Sequence, residues 1–305
     1  MDAELALVYI LASVLYTECI AGVIINLIIV AVNLIKWKTM KSLPIGDKIL
    51  SSLATSRSLF LFIIFLSFLY HLLNLWNNNI LAVYIVGIIT IILNSTNLWF
   101  STVLCVFYCV KITSYNWKFF IFLKTKISTL VPWSLLASLM ISVACGLLFG
   151  WFIYNEEIQN LTMKNMTVSR TKKNKNIDTM SLGLLLISCP PFLIFLVADC
   201  LLLHSLWMHT RRMRSSGSGF RSPNLETHFS AVKSMSFFLV LQILYFSMTM
   251  YIFDSVHNST IALFISITVT CSPPFLHSLY MIASNSEFKK SFISLFYIIS
   301  CCAKG

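Results

Sequence analysis

The feature that most constrains this chain is a run over residues 58–110 that contains no Asp, Glu, Lys or Arg. A transmembrane helix needs about 20 apolar residues, because each residue rises about 1.5 Å across roughly 30 Å of hydrocarbon. The run is too long for one span, and the polar segment 74–79 divides it. The chain is 58% hydrophobic and 11% charged, whereas about a quarter of the residues of a soluble domain are charged. We therefore predict a polytopic membrane protein.

Seven apolar runs of spanning length follow one another along the chain, and we predict one transmembrane helix for each. An amphipathic stretch near the end has apolar residues at helical spacing, which predicts a short interfacial helix over about 287–300. The predicted fold class is an all-α seven-transmembrane-helix bundle that forms a single domain over residues 1–305. The spans are predicted at about 9–34, 49–73, 80–110, 127–154, 179–206, 234–253 and 260–283.

The basic residues are distributed unevenly between the predicted loops. Sixteen Lys and Arg lie on one side, in 36–48, 111–126, 207–233 and the tail after 283, and five lie on the other side. The positive-inside rule predicts that the side with sixteen is cytoplasmic, which places the N-terminus outside a plasma membrane and the C-terminus inside. The net charge of +11 is then mainly an orientation signal. No soluble basic face remains for nucleic acid.

Three glycosylation sequons lie in predicted outer loops, at Asn160, Asn165 and Asn258. A fourth sequon, at Asn94, lies within the third span and should carry no glycan. None of the nine cysteines lies in an outer loop, so we expect no extracellular disulfide. Their spacings match no metal site, and the sequence has no hydrolase, P-loop or dinucleotide motif. We therefore predict no metal, no cofactor and no enzymatic activity.

Polar residues at similar depth in three spans predict a buried cluster. Counting about 1.5 Å per residue from the predicted inner face places Asn26, Arg57 and Ser278 about 8–13 Å deep. Ionisable groups in spans are costly and are usually functional. The alternative is that Arg57 snorkels or satisfies backbone carbonyls. Asp199 in span five has a possible ion-pair partner in Lys233, at the inner end of span six.

The outer half of span three carries Thr90, Asn94 and Asn97, whose spacings of four and three place them on one helix face. Such a face would supply hydrogen bonds to a ligand in an otherwise apolar cleft. The alternative is hydrogen bonding between helices.

Several segments along the chain form a set of motifs. They are LWFST at 98–102, FYCVKI at 107–112, LATSR at 53–57, HFSAVK at 228–233, and the pattern of Pro274, His277 and Ser278. Together they resemble the motifs of vertebrate type 2 (bitter) taste receptors, whose LWxAT and FYCxKI are similar to the first two segments. The sequence departs from the family where Ser101 replaces an alanine, Leu241 a tyrosine and Thr90 a tryptophan.

The resemblance implies a receptor for small, mostly apolar molecules, which would bind in an outward-facing cleft and activate a gustducin-type heterotrimeric G protein. Asn94 matches a pocket asparagine and Ile267 matches a helix-seven pocket position. The expected partners are a small-molecule agonist, the G protein and membrane lipid. The alternative function is a small-solute transporter or channel. The residues expected to face the G protein are Tyr108, Lys111, His209 and Lys233.

Overall fold

The structure, a computed structural model, describes residues 2–73, 80–113, 118–162, 170–215, 232–247, 260–284, 289–290 and 293. Seven long helices account for nearly all of these residues, and the described part of the chain contains no strand. The predicted all-α fold class is confirmed. The helices are α1 (Asp2–Met40), α2 (Ile45–Leu72), α3 (Ile80–Ile112), α4 (Lys118–Thr162), α5 (Arg170–Ser215), α6 (Val232–Ser247) and α7 (Thr260–Ser284).

Five of the helices are long and apolar enough to cross a membrane by themselves, namely α1 to α5. The described part of α6 is a shorter apolar helix, and α7 has 25 residues. Many large apolar side chains face outward, including Trp133 at 67% and Leu148 at 69% exposure on α4. Such exposure would be unfavourable in water but is favourable against lipid tails. The chain is therefore a multi-pass membrane protein.

The helices extend beyond the apolar runs, because the hydrocarbon limits only the composition of a span and not the length of its helix. α1 ends at Met40, where Lys41 has a left-handed φ of 54° and Pro44 follows, as is common at helix C-termini. The predicted span 234–253 is described as far as Ser247. The predicted interfacial helix 287–300 lies outside the described residues, apart from 289, 290 and 293.

α3 is central and packs against α2, α4 and α5, whereas α1 packs against α2 and α7. One buried apolar cluster spans most of the helices, and a second joins α1, α2 and α7. Gly22 lets these last three helices come close together. A Cβ added at Gly22 would overlap the Leu61 Cδ1 atom and lie 3.5 Å from the Cβ of Phe275. This packing brings the polar residues of five helices to one depth.

Candidate functional site

Arg57 of α2 is the centre of a buried hydrogen-bond network and is 1% exposed. Its Nη1 donates to Ser278 Oγ at 2.9 Å, and its Nη2 donates to Ser101 Oγ at 3.2 Å. The Ser278 hydroxyl donates in turn to Asn26 Oδ1 at 2.8 Å. The structure thus brings Asn26, Arg57 and Ser278 together, and adds Ser101 of α3 to them.

His277 extends this network to α6. Arg57 Nη2 lies 2.8 Å from His277 Nδ1. A guanidinium can only donate, so Nδ1 accepts and the ring is neutral with its proton on Nε2. That proton is donated to Ser234 Oγ at 3.0 Å. Phe238 covers the ring at a centroid distance of 4.6 Å and also faces the guanidinium of Arg57. We call the set Asn26, Arg57, Ser101, Ser234, His277 and Ser278 the arginine hub.

The polar face of α3 makes hydrogen bonds to two different neighbours. Ser56 of α2 donates to Asn97 Oδ1 at 2.6 Å, and Asn97 is 7% exposed. Asn94 Nδ2 donates to the Tyr245 hydroxyl of α6 at 3.4 Å, which is a long contact. Thr90 donates within its own helix, to the carbonyl oxygen of Val86. Interhelical hydrogen bonding, the alternative considered for this face, is present for two of its three residues.

A cleft lies beside the hub, between α3, α6 and α7. Its empty space is about 310 Å³. Thr90 and Ile267 are not among its lining residues, and Ile267 packs instead against the cluster between α1, α2 and α7. The cleft is lined by Arg57, Asn94, Asn97, Leu98, Phe238, Gln242, Tyr245, Thr270, Pro273 and Pro274.

Some of these residues could have been found by extending the helical spacing used for α3. Ser101 lies four residues beyond Asn97 and continues the face of Asn94 and Asn97. On α6, the residues 234, 238, 242 and 245 are spaced by four, four and three, and they form the face towards the hub and the cleft. No charge or motif marks this second face in the sequence.

The residues expected to face a G protein lie at one end of the bundle. Lys111 in the last turn of α3 and Lys233 at the start of α6 are exposed, and Tyr108 is half-buried. Lys111 Nζ lies 5.7 Å from the centroid of the Phe107 ring. His209 lies near the end of α5, and its side chain is outside the described part of the structure.

The described residues do not form the predicted ion pair between Asp199 and Lys233. Asp199 is fully buried, and its Oδ1 accepts from Ser236 Oγ at 3.5 Å. Lys233 is exposed at the helix end. A lysine that can reach water keeps its hydration there, and burial beside the carboxylate would remove it.

The predicted glycosylation sites lie at or beyond the edge of the described structure. The backbone of Asn160 belongs to the end of α4. Asn165 and Asn258 lie outside the described residues. The glycosylation prediction therefore stays a prediction.

The described helices form a seven-helix membrane bundle with a buried polar hub and a cleft between α3, α6 and α7, which is the architecture of seven-transmembrane receptors. The family model described as taste receptor protein (TAS2R) matches residues 3–300. The chain is 31% identical to taste receptor type 2 member 40 of Gallus gallus over 299 residues, which cover 94% of each chain. The chain belongs to the taste receptor type 2 family, so the resemblance found in the sequence is confirmed.

Two further relatives support this membership over nearly their full length. The chain is 32% identical to member 9 of Homo sapiens over 294 residues, or 93% of this chain and 92% of the relative. It is also 32% identical to member 1 of Chlorocebus aethiops over an alignment of 318 positions, which covers 99% of each chain. The protein is therefore a chemosensory G-protein-coupled receptor with several membrane spans.

Proposed function

We propose that this receptor detects small, mostly apolar molecules of the bitter type, which bind in the cleft between α3, α6 and α7. The observation that carries the proposal is the lining of the cleft. Its apolar surface comes from Leu98, Phe238 and the Pro273–Pro274 pair. Six further lining residues carry polar groups, namely Arg57, Asn94, Asn97, Gln242, Tyr245 and Thr270. Apolar walls of this kind bind the body of a small molecule, and polar groups orient it.

The contact between Asn94 and Tyr245 suggests how a ligand would act. At 3.4 Å this hydrogen bond is long, so a ligand with a polar group can replace it at small cost. A ligand inserted there separates α3 from α6. It activates the receptor if it binds that separated arrangement better than the resting one. Thr90 and Ile267 are further ligand contacts in this proposal, and the ligand reaches them once the cleft has widened.

We further propose that the inner ends of α3, α5 and α6 dock a gustducin-type G protein. The proposal uses the orientation that the positive-inside rule predicts, in which the N-terminus is extracellular. The exposed lysines Lys111 and Lys233 then face the cytoplasm. A basic surface steers a partner with an acidic face and accelerates its association. Tyr108 and His209 complete the proposed docking surface, and membrane lipid covers the exposed apolar faces of the helices.

A broad agonist screen tests the receptor function. Cells expressing the receptor and a promiscuous G protein are loaded with a calcium indicator and exposed to a library of bitter compounds. We expect a concentration-dependent calcium response to a subset of the compounds, and none in cells with the G protein alone. Nucleotide exchange on purified gustducin and on other G proteins then identifies the coupling partner. Solute flux through the reconstituted protein without any G-protein response would support the transporter alternative instead.

A further inference from the structure

The arginine hub contains a buried positive charge that its neighbours do not neutralise. Arginine side chains stay protonated in proteins, so Arg57 carries a positive charge. Its hydrogen-bond partners Ser101, His277 and Ser278 are all neutral. Within the described part of the chain, Arg57 forms no ion pair with a carboxylate. A buried charge without a counter-charge is unfavourable. An anion bound next to Arg57 would therefore stabilise the folded receptor.

Two buried donors at the cleft have no hydrogen-bond partner among the described residues. They are Arg57 Nε and Asn97 Nδ2, and both residues line the same cleft. The Ser56 hydroxyl has two possible acceptors, Asn97 Oδ1 at 2.6 Å and the carbonyl oxygen of Leu53 at 2.9 Å. Donation along the shorter contact assigns Oδ1 to the side of the Asn97 amide that faces Ser56. Nδ2 is thus the group that remains available for a ligand.

Gln242 of α6 supplies a third polar group. It is 6% exposed, it lines the cleft, and its Oε1 has no partner in the described part of the structure. Rotation of the amide by 180° exchanges this oxygen for an NH₂ donor without changing the shape of the side chain. The empty space of the cleft, about 310 Å³, has room for a small anion beside these groups.

We propose that the base of the cleft binds a chloride ion between Arg57 Nε, Asn97 Nδ2 and the amide of Gln242. The ion neutralises Arg57 and joins α2, α3 and α6. Because Gln242 of α6 is one of its three contacts, its occupancy changes when α6 moves. The proposal concerns the folded receptor itself and does not depend on which agonist the cleft binds.

Thermal unfolding of the purified full-length receptor tests the proposal. The unfolding midpoint, Tm, is measured in sodium chloride and in sodium gluconate at equal ionic strength, since gluconate is much larger than chloride or bromide. A ligand that binds only the folded state raises Tm in a saturable way, and at saturation we expect a rise of about 3–6 °C. Bromide should replace chloride. Equal Tm values in chloride, bromide and gluconate at all concentrations would overturn the proposal, and would leave water as the occupant of this space.

A pair of substitutions at one position separates an ion site from general stabilisation by salt. Asn97→Asp places a carboxylate beside Arg57, so its Tm should be high and independent of chloride. Asn97→Leu removes the donor without adding charge, so its Tm should be low and nearly independent of chloride. If neither variant folds, Gln242→Glu supplies the carboxylate from α6, with Gln242→Leu as its neutral match. Retention of the full chloride response in a folded carboxylate variant would contradict the proposed site.

Discussion

At the residue scale, Arg57 illustrates how a membrane protein uses a side chain that is costly to bury. Its guanidinium donates to α3 and α7 at the same time, and its Cζ atom lies 5.5 Å from the centroid of the Phe238 ring on α6. A lysine in this position has a single ammonium group and cannot reproduce the fixed fork of donors. The geometry of the guanidinium, in addition to its charge, is therefore what holds these helices in register.

Replacement of Arg57 should destabilise the receptor generally. Arg57→Ala leaves Ser101 and Ser278 each without a charged donor, and we expect a loss of about 2 kcal/mol or more of folding free energy. Arg57→Lys should restore only part of it. The measurement is cell-surface expression together with Tm of the purified protein. Normal expression and normal agonist efficacy in Arg57→Ala would contradict the role of the hub.

Asn94 should act on the ligand and leave folding unchanged. Asn94→Ala removes one polar group from the cleft, and the loss of one hydrogen bond of about 1 kcal/mol corresponds to a potency shift of about fivefold. Concentration–response curves for several agonists, with surface expression measured in parallel, check this. Val83→Ala is a matched control, because Val83 is 47% exposed on the same helix. Unchanged potency for all agonists would remove Asn94 from the binding site.

At the scale of elements, α3 organises the bundle, and one of its threonines joins it to α5. The Thr102 hydroxyl lies 2.9 Å from the carbonyl oxygen of Pro191 and 2.9 Å from that of Leu98 in its own helix. Pro190 and Pro191 each lack the N–H that a helix donates to the carbonyl four residues earlier. The Thr102 hydroxyl adds a hydrogen bond between α3 and α5 close to these prolines.

Thr102→Val should weaken the contact between α3 and α5. Valine has nearly the same shape, so the change removes the hydroxyl and little else, and we expect a loss of about 1 kcal/mol in unfolding free energy. Tm of the purified receptor measures it. Thr96→Val is the control, because Thr96 is equally buried and bonds to Ile92 in its own helix. Equal losses for the two variants would show that the bond to Pro191 contributes nothing.

At the scale of the whole molecule, the spans follow directly from the sequence and the ends of the helices do not. A bilayer imposes a minimum length of apolar residues, which is visible in any sequence. Beyond the bilayer a helix ends where local backbone conformation stops it, as at Lys41, and α4 continues to Thr162 well past its apolar run.

The same contrast applies to the site. The shared depth of Asn26, Arg57 and Ser278 was sufficient to predict that they meet, because depth is read from the distance to a span's end. Depth does not show which way a helix is rotated, however. The contributions of Ser234 and Gln242 were therefore not predictable, and neither was the packing of Ile267 away from the cleft.

The orientation of the whole receptor is open to a direct test. If the N-terminus is extracellular, glycans should be attached at Asn160, Asn165 and Asn258 and none at Asn94. Digestion with an N-glycosidase should increase gel mobility. Asn→Gln changes at the three loop sites should remove this shift stepwise, and Asn94→Gln should leave it unchanged. A glycan at Asn94, or none at any loop site, would contradict the proposed orientation.

The contact between Asn94 and Tyr245 across the cleft has a consequence for the kinetics of detection. Since this contact joins α3 to α6, an agonist that replaces it must wait for the side chains to move, and a required conformational change lowers association rate constants. Chemically different agonists should therefore share similar, slow on-rates that are set by this opening. Their potencies should then differ mainly through residence time. The response of such a receptor depends mainly on how long a compound stays bound and little on its association rate constant.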